Sequence, residues 1–79
     1  MEDKMVTDII ALKKIMLEKG LEQIKDLSQV SGINRVTLGK ILSGKIQPSA
    51  PVMDKLIKAL DIPPETAGQI FFSKNFRIA

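Results

Sequence analysis

Residues 24–49 read IKDLSQVSGINRVTLGKILSGKIQPS, and the rest of the chain is organised around them. Two short helical patterns meet at Ser31-Gly32. Ser28 stands four positions before Gly32, so a small side chain faces the tight turn where the second helix has to approach. A bulky residue there would push the helices apart, and the pattern therefore predicts a steep crossing at close range. Asn34 suits the N-cap of the second helix, since its side-chain oxygen can accept from a backbone N–H that has no intrahelical partner. Leu38, Ile41 and Leu42 recur at three- and four-residue spacing and give that helix a buried face. Arg35, Thr37 and Lys40 fall on the opposite side, and Gly44 stands where a helix closes through a left-handed backbone.

Working outward, the segment from Asp8 to Lys19 is helical in pattern, with Thr7 as N-cap, Asp8 in the first turn and Gly20 as the stop. Its core stripe is Ile9, Leu12, Ile15 and Met16. Ile10 and Leu17 lie off that stripe, one heptad apart, and either pack under the C-terminal segment or meet a second subunit. Met1 to Val6 is mixed and uncapped, and is expected to fray. Pro48-Ser49 starts a fourth helix with Ser49 as N-cap and Pro51 in the first turn, buried through Val52, Met53, Leu56, Ile57 and Leu60. Lys55 and Lys58 read as its solvated face. Asp61-Ile62-Pro63 ends it, and Pro64-Glu65 opens a fifth, on which Ala67, Ile70 and Phe71 can close the core. Phe72 and Phe76 are then surplus, and in the C-terminal tail, 74–79, the residues from Asn75 to Ala79 alternate polar and apolar as a strand or extended arm does.

The chain has 79 residues, one small domain with a modest core and no room for a deep cleft. With three Phe and no Trp or Tyr, that core has to be aliphatic. There is no Cys and no His, which removes disulfides, thiolate zinc sites, imidazole catalysis and cysteine nucleophiles together. No apolar run approaches the roughly 18 residues that span a bilayer, and Met1-Glu2-Asp3-Lys4 lacks the basic start and apolar stretch of a signal peptide. A cytoplasmic location is expected. The net charge of +3 is mild, but its distribution is informative. Between Asp26 and Asp54 there is no acidic residue, while Arg35, Lys40 and Lys45 all fall there beside Asn34, Thr37, Ser43, Gln47 and Ser49. A surface that meets phosphates has this character.

The pattern Leu27-Ser28, Gly32-Ile33-Asn34, Leu38, Ile41, Gly44, Pro48-Ser49 resembles the helix-turn-helix of the Cro/CI-type (XRE-like) family of phage and bacterial transcriptional regulators. The resemblance runs from about Ile9 to Ile62, and the spacing from Gly32 to Gly44 to Pro48-Ser49 is its most specific part. It implies an all-α, compact five-helix domain of the lambda-repressor-like kind, with helices two and three as the helix-turn-helix and a short C-terminal tail. It further implies a sequence-specific double-stranded DNA-binding regulator, such as a phage or prophage repressor acting as a homodimer on an inverted-repeat operator. No cofactor, metal, membrane or small-molecule ligand is implied, and an enzyme is the weakest reading, since Asp26 and Asp54 have no accompanying catalytic pattern.

Carried onto this chain, the family pattern makes Arg35, Val36 and Lys40 the base readers. Arg can bond guanine O6 and N7 bidentately, and Val36 can press on a thymine methyl. Gln23, Lys25, Asn34, Thr37, Ser43, Lys45 and Gln47 would hold phosphates, helped by outward backbone N–H groups in the loop from Ser43 to Gln47. Family members often carry a phosphate-bonding Gln at the start of the second helix; here Ile24 has that place and Gln23 lies one residue earlier. Leu42 stands where many members have Glu. Gly39, inside the third helix, is either a packing concession or a means of lying close to DNA or a neighbouring helix. The homodimer would use Phe72, Phe76 and the tail. Two other functions fit the same chain: the antitoxin of a toxin–antitoxin pair, and a protein-interaction module on this fold.

Overall fold

A computed structural model of the chain describes residues 5–74. Five helices follow one another: α1 (Ile9–Glu18), α2 (Ile24–Ser31), α3 (Arg35–Leu42), α4 (Ala50–Leu60) and α5 (Pro64–Phe71). Two short strands, β1 (Met5–Val6) and β2 (Ser73–Lys74), flank them in sequence and pair with each other. The class is all-α, as the sequence patterns indicate.

Helix starts and stops follow local chemistry. Asp8 caps α1 by accepting from the Ala11 N–H at 3.1 Å. The cap therefore lies one residue later than Thr7, whose hydroxyl instead donates to Gln47 Oε1 at 2.8 Å. Gly20 has φ 72°, and its N–H donates to Leu17 O at 3.1 Å while Leu21 N–H reaches Met16 O at 2.8 Å. This is the closing pair of bonds that uses up the last carbonyls of a helix. Gly44 ends α3 in the same way, with Gly44 N–H to Ile41 O and Lys45 N–H to Lys40 O. α4 closes likewise with Asp61 in the left-handed position at φ 51°. Ser49 occupies the N-cap of α4, but its hydroxyl makes no capping bond.

The core is aliphatic apart from Phe71. Leu12, Leu27, Leu38, Ile41, Leu56 and Leu60 are each fully buried, and Met16, Ile33, Leu42, Ile62, Ala67, Ile70 and Phe71 complete the cluster. α2 packs on α3 and α4, and α1 packs on α3 and α5. Each fully buried Leu contributes about 1.5–3 kcal/mol through removal of apolar area from water. Among the described residues no buried side-chain polar atom lacks a hydrogen bond. The core carries no polar penalty to offset that gain.

The N-terminal segment departs from expectation. Met5 and Val6 are not frayed: they pair antiparallel with Lys74 and Ser73, and Asp8 N–H donates to Ile70 O at 2.6 Å. The pairing depends on α1 and α5 lying side by side, a long-range relation that no local pattern in residues 1–6 carries. Ile10 is 82% exposed and Leu17 59%, so neither packs under the described part of the C-terminal segment. Phe76 and tail residues 75–79 lie outside the described residues.

Candidate nucleic-acid interface

The interface is built on how α3 is held. The turn before it runs through Gly32 at φ 76°, a backbone that an L side chain adopts only with strain. Three bonds fasten this turn: Ser28 Oγ donates to Ile33 O, Ser31 Oγ donates to Leu27 O at 2.6 Å, and Ile33 N–H donates to Ser31 Oγ at 3.2 Å. Ile33 is 4% exposed and anchors the turn in the core. Asn34 then caps α3, accepting from the Val36 N–H at 2.7 Å. The orientation of α3 is thus set by a rigid turn, buried anchors and a cap.

At about 100° per residue, the buried Leu38, Ile41 and Leu42 place the outward face of α3 at Val36, Lys40 and Ser43, with half-buried Gly39 at its edge on the side of Arg35 and Thr37 on the other flank. Arg35, Val36 and Lys40 are all exposed, and Val36 is 66% so despite being apolar. Thr37 is half-buried. An apolar side chain left in water at the centre of a cationic helix face suits contact with a thymine methyl. No acidic residue of the sequence falls between Asp26 and Asp54, so α3 and its flanking turns present only positive charge of their own.

The phosphate candidates divide into three groups. Lys25, Lys45 and Gln23 are exposed, and Gln23 sits at the N-cap of α2 with its side chain making no capping bond. Asn34 and Ser43 are exposed but partly engaged: the Asn34 oxygen caps α3, leaving its amide hydrogens, and Ser43 Oγ donates to Lys40 O at 3.1 Å. Gln47 is exposed, but both ends of its amide are engaged, with Oε1 accepting from Thr7 and Nε2 donating to Phe71 O at 2.7 Å. The loop's backbone also differs from expectation. The N–H groups of Gly44, Lys45 and Ile46 turn back onto carbonyls of α3 rather than outward, because closing the helix consumes them.

Ile24 and Leu42, the two positions that depart from the family pattern, line one groove with Met16, Leu17, Lys13 and Glu22. Ile24 packs against the core and has no polar atom with which to replace a bracing Gln, while Gln23, one residue earlier, is exposed. Leu42 is 8% exposed and extends the core.

A family model described as helix-turn-helix matches residues 12–66, from Leu12 on α1 to Thr66 on α5. The chain belongs to the XRE-like helix-turn-helix family. No curated protein matches it. This helix-turn-helix protein is therefore a DNA-binding regulator of a generally non-enzymatic family. Among its described residues no helix is long and apolar enough to cross a membrane, and no carboxylate cluster has the makings of a metal site. Two supports of the site were barely legible in the sequence. The Ser31 relay had a faint signal in a serine beside the turn glycine, whereas the Gln47 strut, spanning distant segments, had none.

Proposed function

We propose that this helix-turn-helix protein is a sequence-specific repressor of the Cro/CI type, from a phage or prophage, that binds an inverted-repeat operator as a homodimer. The supporting observation is the exposed surface of α3, where Val36 and Lys40 face outward and Arg35 stands on the flank of a helix fixed by its buried face. α3 enters the major groove; Arg35 and Lys40 bond base edges and Val36 contacts a thymine methyl. Lys45, Lys25 and Gln23 hold phosphates, with Asn34, Thr37 and Ser43 adding neutral donors. Two copies related by a two-fold axis present two such helices about one DNA turn apart, which makes the operator an inverted repeat. Phe72, 51% exposed beside β2, supports a dimer surface near the C-terminus. Repression follows from occlusion of polymerase, and no cofactor or catalytic group takes part.

The test is selection of bound duplexes from a random pool at two salt concentrations, followed by sequencing. An enriched inverted repeat, bound less tightly as salt rises, is the expected result, because phosphate neutralisation releases counterions. Absent or salt-insensitive binding would overturn the reading in favour of a protein-interaction role.

A further inference from the structure

Gly39 sits in the interior of α3, where glycine is a poor choice: it leaves the backbone freer in the unfolded chain than any other residue does. Three structural reasons for keeping it are absent. Its φ is not positive, so no left-handed turn requires it. A Cβ built there meets nothing within 4 Å, so no neighbouring helix or side chain among the described residues requires it. Nor does it end the helix, which continues through Leu42. By contrast, the same test at Gly44 brings the added Cβ to 3.3 Å from Ile9 Cδ1, showing what an internal packing demand looks like in this molecule. The space beside half-buried Gly39 opens instead at the edge of the outward face, three residues after Val36, four before Ser43 and next to Lys40.

We infer that Gly39 is a close-approach position for DNA: the bare backbone there lets α3 sit deep enough in the major groove for Val36 and Lys40 to reach base edges. The inference rests on the proposed reading that α3 enters the groove. Val36 has a short side chain, and its contact with a thymine methyl requires the helix axis to come near the base-pair edges. A Cβ one turn further along the same face meets the wall of the groove first and holds the helix off. The cost falls on base contacts, which are short-ranged, and hardly on phosphate attraction, which is not. Gly39 is thus a positioning residue for sequence readout, retained against its helix propensity.

The distinguishing feature is opposite signs in one substitution. Gly39→Ala should raise the thermal midpoint by about 2–6 °C, while weakening binding to the selected inverted-repeat duplex by about tenfold or more. Affinity for a random-sequence duplex at the same salt should change by less than about twofold. Lys40→Ala and Arg35→Ala, measured alongside, separate the two failures. If those variants lose selected-duplex binding and Gly39→Ala does not, the close-approach role is overturned and groove entry by α3 stands. If none of the three loses binding, groove entry falls and this inference with it. A lowered midpoint, or equal losses on selected and random duplexes, also overturns it, since the first contradicts the open space and the second the base-edge origin of the effect.

Discussion

The hydroxyl of Ser28 donates to the carbonyl of Ile33, joining the last turns of α2 to the residue that leads into α3. From its place in the sequence Ser28 has a steric role, as a side chain small enough for two helices to cross closely. The hydrogen bond adds a second role, because Ile33 O lies beyond the turn and has no place in either helix ladder. Ser28→Ala keeps the size and removes the bond, and should cost about 1 kcal/mol in urea unfolding. Ser28→Leu adds bulk as well, and should cost about 2–4 kcal/mol. Equal losses for the two variants would mean that size does not matter here and that the crossing is looser than described.

Gly32 poses a separable question, since its φ is 76° and a Cβ there would meet nothing within 4 Å. Its cost on substitution is therefore one of backbone strain alone. Gly32→Ala should destabilise by about 1–2 kcal/mol, and Gly32→Asn by less, because Asn tolerates the left-handed region. Matching thermal midpoints for the Ala and Asn variants would point to a steric clash in place of strain.

These two residues show why the fold was legible in the sequence. Helix starts, stops and faces are local: Gly44 adopts the left-handed backbone its pattern requires, Gly20 and Gly32 stop and turn the chain at positive φ, Asn34 caps α3, and Leu38, Ile41 and Leu42 are buried together. What the sequence concealed involves partners far apart along the chain. The pairing of Met5 and Val6 with residues 73–74 needs α1 and α5 already docked. The move of the α1 cap from Thr7 to Asp8 is coupled to the bond between Thr7 and Gln47, forty positions away. The base-reading face was visible as a period in the sequence. The availability of each phosphate donor was not, since a polar side chain near DNA and one tied into the fold look alike as letters.

Gln47 carries that distinction into a measurable prediction. Its amide bridges Thr7 and the carbonyl of Phe71, so it ties the loop after α3 to the start of α1 and the end of α5. Gln47→Ala should lower stability by about 1–2 kcal/mol and leave the dependence of DNA affinity on salt with the same slope. A slope reduced by about one, with stability unchanged, would instead make it a phosphate contact. Chemical denaturation and a salt titration of the same preparation decide between them.

The last prediction concerns how α3 and the loop divide their labour. Arg35 lies on the flank of the outward face in the first turn of α3, whereas Lys45 lies beyond its C-terminal end, past the closing Gly44. Groove geometry puts the first turn of a reading helix nearest the bases and the loop nearest the strand backbone. Arg35→Ala should therefore cost about 1–3 kcal/mol on the selected duplex and relax preference at one base pair in each half-site, detectable by repeating the selection with the variant. Lys45→Ala should weaken all sequences to a similar degree and lower the salt slope by about one. Because Lys45 is exposed and its N–H bonds Lys40 O through the backbone alone, removing the side chain should leave the thermal midpoint nearly unchanged. The reverse pattern, with Lys45 altering base preference and Arg35 acting on every sequence alike, would require α3 to lie in the groove with its C-terminal end foremost.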